Sequence, residues 1–415
     1  MWVIGKVEKR IHSLIHSDGL SMNKNKENWM MGFPPSPENI ISVNIGNHYQ
    51  WPQLRWSFCN IQQLVPTKSI WRGAGAASPL PLKSEGLESL NIVTHAGQIL
   101  SWQQAMNTTD TDGFAVMYKG ELVHEQYFNH YQQHSSHLIM SCAKSFAGLL
   151  AEMLITEGVL NEDALVPEYL PELTDTAWGD ASVRQVLDML VAMEFHEDYL
   201  DPHSDVWKFL RAGAMAPGDI PEGDPSNLFE YLLTVNKQGA HDEKFAYREP
   251  NINVLTFILQ RVTQRDLKDL VSDYIWQNIG AEHDATYMLD PSGACTTSAC
   301  TLRDFLRFGE FVRTSIDKDI LARITNGGSQ QLFAKANMPA MEGWSYKSQW
   351  WVRHKLNGNA MLARGAHGQI LYVDPSHELV IARFASSQLS PGYLNDDVLM
   401  PMFDAITKHV TTGKC

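Results

Sequence analysis

The chain has 415 residues, 44% hydrophobic and 19% charged, which supplies the core of one large domain or two coupled ones and is too apolar for a disordered chain. With 33 Lys+Arg against 47 Asp+Glu, its formal net charge of −14 excludes the basic footprint that nucleic acid and anionic membrane require. No run reaches ~18 apolar residues, so no membrane span is expected.

The N-terminus carries charges where a secretory apolar core would lie, and residues 21–27 lack a small-residue cleavage pattern, so no signal peptide is expected. The five cysteines (Cys59, Cys142, Cys295, Cys300 and Cys415) are an odd number in a long chain and read as reduced thiols, which points to the cytoplasm. Cys295 and Cys300 are too far apart for a metal knuckle and have no partner pair nearby, so neither a metal nor another cofactor is expected.

Residues 23–85, rich in Pro, Asn and Trp without lasting periodicity, read as an irregular arm, so that 1–85 forms an extension packed on a main domain of 86–415. Residues 114–118 and 121–128, joined by Lys119-Gly120, predict a β-hairpin. His124, His130, His134 and His137 fall on its second strand and exit loop, where they read as a solvated polar rim. From 142 to 157 apolar residues recur at helical spacing and Gly158 ends the run.

Helices and loops then fill 159–295, with helices expected over 183–193, 227–234, 253–262 and 267–279. Strands return at 348–354, 360–364, 369–373 and 378–384, and a last helix spans 398–410. Strands at both ends of a helical middle predict an α/β chain of the α+β type. Its antiparallel sheet (86–158 and 296–415) is flanked by helices and interrupted by a helical subdomain (159–295).

The Ser-x-x-Lys pattern occurs at Ser21/Lys24, Ser141/Lys144 and Ser315/Lys318, and context selects the second. Ser141 opens a helix after an apolar strand, and a spacing of three puts Lys144 on the same face one turn on. A capping box would place Glu or Gln at that position. A lysine there instead opposes the helix dipole, at ~0.3–1 kcal/mol. The same field, with desolvation, would favour a neutral amine able to take the Ser141 proton. From the pair alone, catalysis and a bare N-cap both stay open.

Such a pair needs a second proton carrier, and Tyr247 in Phe245-Ala-Tyr247 is the candidate, on the expectation that nearby cations ease loss of its proton. Packing is the ordinary reading for any one of 13 tyrosines. The chain has no Gly-x-Ser-x-Gly elbow, no His-Glu-x-x-His pair and no Gly-x-x-x-x-Gly-Lys loop.

Taken together, Ser141-Cys-Ala-Lys-Ser-Phe146, Phe245-Ala-Tyr247 with Asn251, and Arg364-Gly-Ala-His-Gly-Gln369 resemble the three site motifs of class C β-lactamase-like serine hydrolases. The resemblance is closest to the branch of 6-aminohexanoate-dimer hydrolases and related esterases. It runs from about residue 28 to the C-terminus, with support from Arg55-Trp-Ser-Phe58, Glu197-Asp-Tyr199 and Gln349-Trp-Trp351. It implies a penicillin-binding-protein-like fold and an acyl-enzyme on Ser141. Lys144 would be the base, Tyr247 would protonate the leaving group, and the backbone N–H groups of Ser141 and Ala366 would form an oxyanion hole. Tyr199, Asn251, Gly365 and His367 would line the substrate.

Departures narrow the implied activity. The third motif keeps only Gly365 and lacks the strand cation that anchors a penicillin carboxylate. Leu210 and Met215 stand where the dimer hydrolases carry an acidic residue and a tryptophan, and Ser298-Ala-Cys300 replaces a Gly-Gly pair. The expectation is therefore hydrolysis of small esters or linear amides, with homodimerisation left open. A β-lactamase or D-alanyl peptidase is the rival enzyme, and a non-catalytic ligand-binding module is the rival of another class.

Overall fold

A computed structural model describes residues 28–197, 201, 203–216 and 219–413. The chain divides into two compact units, 1–41 and 42–415. In the first, Pro37–Asn39 forms a single 3₁₀ turn and the Met30 N–H donates to the Asn39 carbonyl. The strands and helices described below lie in the second.

Strands there are β1 (Thr67–Ile70), β2 (Asn91–Val93), β3 (Ile99–Ser101), β4 (Thr111–Tyr118), β5 (Glu121–Tyr127), β6 (His137–Met140), β7 (Ala285–Leu289), β8 (Cys295–Cys300), β9 (Ser345–Lys347), β10 (Trp350–Arg353), β11 (Ala360–Gly365), β12 (Gln369–Asp374) and β13 (Leu379–Ala385). They form an antiparallel seven-stranded sheet in the order β5-β4-β13-β12-β11-β10-β9, a four-stranded sheet β1-β7-β8-β6 and the hairpin β2-β3. The expected hairpin is β4-β5, and Lys119 (φ 51°) with Gly120 (φ 79°) supplies the two left-handed residues that match a strand twist.

The long sheet is buried on both faces. Leu371, Val380 and Ala382 point into one core with Phe305 and Phe308 of helix Leu302–Thr314. Their alternates Ile370, Tyr372, Leu379 and Ile381 point into another with Leu399 and Phe403 of helix Asp396–Thr412. A period of two with apolar residues at both phases explains the nearly unbroken apolar run of β13. Gly309 permits the close approach on the first face, since a Cβ would stand 2.5 Å from Val380 Cγ1.

β1 and β7 arise outside the segments expected to supply strands. Each has four or five residues, too short for alternation to be read, and each is specified by antiparallel pairing of β7 with its neighbours. Residues 42–66 contribute the apolar Leu54, Phe58 and Ile61, which pack with Leu138 and Ala299 of β6 and β8. The polar-rim expectation fails for two histidines. His137 is fully buried and stacks on Phe384 at 4.8 Å, and His124 is buried edge-on against Trp102. No helix among the described residues is long and apolar enough to cross a membrane.

Candidate active site

β6 runs directly into Ser141–Ala143, a 3₁₀ turn, and then into helix α1 (Lys144–Thr156). The hinge is Met140, a non-glycine residue at φ 51°, ψ −137°. Backbone in so sparsely populated a region costs roughly 1–3 kcal/mol and persists only where surroundings enforce it. The enforcement is visible: the Thr297 hydroxyl donates to the Met140 carbonyl at 2.7 Å, and the β6–β8 register shifts between Leu138 and Met140. The turn presents Ser141 partly exposed while Cys142 and Ala143 are buried.

The Lys144 Nζ donates to Ser141 Oγ at 2.7 Å and to Glu249 Oε2 at 2.7 Å. Ser141 Oγ in turn faces Glu249 Oε1 at 3.5 Å. Tyr247 closes the group: the ammonium lies 5.2 Å from its ring centroid, and its hydroxyl is hydrogen-bonded to Ser141. The ring stacks on Trp351 at 5.3 Å. Residues 245–249 stay a loop because Pro250 opens helix α2 (Pro250–Thr263), where a missing N–H costs nothing. Phe245 N–H to Leu332 O and Ala246 N–H to Met189 O pin that loop.

The expectation that cations ease loss of the Tyr247 proton is overturned. Burial, then the Glu249 charge, pushes its pKa well above the ordinary tyrosine value, against a smaller lowering by the Ser141 hydrogen bond. Tyr247 is therefore a neutral hydroxyl at any ordinary pH.

Glu249 is the residue sequence reasoning missed. A carboxylate just before a helix reads as a complement to the helix dipole, which hid its second use. Its Oε2 stands 2.7 Å from the Lys144 amine, and the Lys144 side chain is only 6% exposed.

Gly365, at the end of β11, abuts the nucleophile hinge: a Cβ there would stand 2.5 Å from Ile139 O and 3.0 Å from Met140 Cβ. Only glycine lets the large sheet come this near; the next residue, Ala366, is partly exposed. Buried Gln369 fixes that bend, donating to Ala366 O and Ala385 O and accepting from Ala385 N–H. The His367 ring is engaged elsewhere, bonded to Ser387 O at 2.7 Å and edge-on to Phe58, and burial lowers its pKa.

Asn251 does not line the site. It is fully buried on α2, where its amide accepts from Trp178 Nε1 at 2.9 Å and donates to Met189 Sδ. Asn251 is the second residue of that helix, on its buried side. Tyr199 lies outside the described residues. Arg364 points away from Ser141 into a buried bidentate pair with Asp396, as alternation along a strand requires.

A strained strand-to-helix hinge bearing a Ser-x-x-Lys pair, with a tyrosine hydroxyl on the serine and a glycine strand end beside it, defines a serine hydrolase. The beta-lactamase family model matches residues 102–399. A 6-aminohexanoate-dimer hydrolase of Paenarthrobacter ureafaciens is 31% identical over 347 residues, covering 81% of this chain and 86% of that protein. The chain belongs to the beta-lactamase family. A solved Bacillus anthracis structure named for 6-aminohexanoate-dimer hydrolase is 25% identical and superposes with a TM-score of 0.78 over 91% of this chain and 99% of that one. EstCE1, a hydrolase with promiscuous acyltransferase activity, shares the fold at 14% identity and a TM-score of 0.58, over 74% and 96%.

Proposed function

We propose that the protein hydrolyses small esters or linear amides through an acyl-enzyme on Ser141, without a metal. The observation that carries this is the 2.7 Å Ser141–Lys144 contact held behind the strained Met140 hinge. Ser141 Oγ attacks the carbonyl as Lys144 takes up its proton, and the backbone N–H groups of Ser141 and Ala366 receive the oxyanion, each donor being worth ~3–4 kcal/mol of barrier. Tyr247, a neutral hydroxyl beside Ser141, gives a proton to the leaving group. Tyr199 remains the proposed substrate-lining residue of the 197–201 stretch. The reduced-thiol reading of the cysteines places the protein in the cytoplasm, and the net charge and the lack of a long apolar run set it apart from nucleic acid and membrane. Labelling with a fluorophosphonate, followed by mass spectrometry, should find the adduct on the peptide bearing Ser141; an unlabelled Ser141 in protein that hydrolyses esters would refute the assignment.

Tyr247→Phe separates the two halves of acylation. A p-nitrophenolate leaves without a proton and an amine does not, so the substitution should cut kcat/KM, which reports acylation alone, ~10²-fold or more on an anilide and far less on p-nitrophenyl butyrate. Equal losses on both substrates would point to a packing role.

Short acyl esters should be preferred over both penicillins and 6-aminohexanoate dimer. Arg364 is tied to Asp396, and Arg248, beside Tyr247, is paired with Glu197 at 3.0 Å, so neither offers a free anchor for a β-lactam carboxylate. Leu210 is half-buried against the core and offers the dimer's amine no carboxylate. A lost charge-assisted contact is worth ~1.5–3 kcal/mol, roughly ten- to a hundredfold in affinity. Values of kcat/KM for p-nitrophenyl butyrate, nitrocefin and the dimer on one preparation decide the matter; parity of either with the ester would overturn this view of the pocket.

A further inference from the structure

Glu249 touches both members of the proposed nucleophilic pair. Its Oε2 accepts from Lys144 Nζ at 2.7 Å, and its Oε1 lies 3.5 Å from Ser141 Oγ in the direction of the serine O–H. About a quarter of its side chain is exposed, whereas Lys144 is sealed at 6%. The carboxylate is thus the partner through which a buried ammonium reaches solvent. An ion pair made only for stability is weakly motivated here, since withdrawing two charges from water costs more than their attraction commonly returns.

We propose that Glu249 is a catalytic residue, the proton acceptor of a Ser141–Lys144–Glu249 relay. The inference rests on Ser141 being the nucleophile. In acylation the Ser141 O–H bond breaks as Oγ bonds to the substrate carbonyl carbon. Lys144 takes that proton and passes one of its own to Glu249 Oε2, so the ammonium keeps its charge and Glu249 becomes a neutral acid. The carbonyl–leaving group bond then breaks as Tyr247 gives its hydroxyl proton to the departing oxygen or nitrogen. Glu249 returns its proton through Lys144 to Tyr247, and the carboxylate is restored. Net, the serine proton leaves on the alcohol or amine. Deacylation repeats the sequence with water as nucleophile and Ser141 as leaving group.

This relay removes a difficulty that a lone Ser-Lys pair has in this site. A lysine must be neutral to act as base, yet this one faces a carboxylate. With Glu249 as acceptor the amine is never required to stand uncharged in the resting site, and the carboxylate that holds the cation also drains the proton.

The test is Glu249→Gln, near-isosteric and able to keep a hydrogen bond to Lys144, assayed with p-nitrophenyl butyrate across pH beside Ser141→Ala. The titratable groups facing Glu249 are Lys144 and Tyr247, with Tyr346 also within its field and Glu197 acting on Tyr247. Of these the carboxylates alone ionise on the acid side, and Glu197 is paired with Arg248. The expected result is a fall in kcat of about 10²-fold or more, with loss of the acid limb, because the rate no longer depends on ionising that carboxylate. Activity within threefold of the parent, or a large loss with the acid limb intact, would overturn the relay, the latter marking Glu249 as a positioning residue. Should circular dichroism show the Gln variant unfolded, Glu249→Asp is read instead: a retained acid limb with kcat at least tenfold lower supports the relay, and an unchanged kcat or a lost limb overturns it. If Ser141→Ala kept full activity, the nucleophile assignment would fail first; an inactive Ser141→Ala beside a fully active Glu249→Gln would sink the relay alone.

Discussion

Ser141→Ala is expected to lower kcat on p-nitrophenyl butyrate by ~10⁴-fold or more while the thermal midpoint scarcely moves. In the proposed scheme the serine Oγ is the atom that loses its proton to Lys144 and bonds to the carbonyl carbon, and alanine puts no nucleophile in its place. Stability should hold because the side chain caps nothing. Met140 precedes the turn without a side-chain cap bond, α1 is entered through Ala143, and the hydroxyl is spent on Lys144, Glu249 and Tyr247. An N-cap serine would instead surrender ~1 kcal/mol on truncation. The Lys144–Glu249 ion pair also survives the change, so no buried charge loses its partner. Hydrolysis assays and differential scanning calorimetry on the same preparation check both halves. Full activity in the variant would remove Ser141 as nucleophile, and a drop of several degrees with lost activity would restore the capping explanation.

What could be read in the sequence was local or carried by order. The α1 helix, its serine start and the β4–β5 turn follow from periodicity and from Gly and Lys at the places a tight turn needs. The third motif was legible because Gly365 precedes an apolar strand, although the reason for glycine, the approach of Ile139 O from the other sheet, is a contact across 226 positions that no spacing announces. Asn251 was placed at the substrate by the resemblance alone, whereas Pro250 opens a helix that turns that residue into the core. Glu249 was overlooked because its partner stands 105 residues away. His124 and His137 were read by polarity, but an imidazole surrounded by Phe and Trp rings packs as an aromatic.

The expected strand 348–354 is present as β10 over Trp350–Arg353, but its first two residues form a turn instead. Ser348 (φ 50°) and Gln349 (φ 65°) are consecutive left-handed residues joining β9 to β10, a turn normally given to Asn and Gly. Neither residue type signals it, because tertiary contacts impose it. The Ser348 N–H donates to Asp188 at 2.9 Å, its hydroxyl bonds Glu152, and Arg184 joins both carboxylates. Ser145 on α1 donates to Gln349 O at 2.9 Å, and Gln349 N–H donates to Leu187 O.

All of this sits against Gly148 of α1, where a Cβ would stand 2.1 Å from Ser348 O, 2.7 Å from Gln349 Cβ and 2.9 Å from Ser348 C. In an exposed helix interior, Gly→Ala gains ~1 kcal/mol. Here the sign should reverse, since two of the three clashing atoms are backbone of a turn held by a buried ion network, and overpacking of this kind costs ~1–3 kcal/mol beyond the lost propensity gain. Because β10 carries Trp351, the ring on which Tyr247 stacks, the displacement should reach the site: kcat falls several-fold with Ser141 intact and still labelled by fluorophosphonate. Gly75→Ala is the control, for a Cβ there meets nothing within 4 Å. Urea midpoints and kcat for both variants decide the question. A Gly148→Ala protein as stable and as active as the Gly75→Ala control would mean that the 348–349 turn yields without cost and does not position Tyr247.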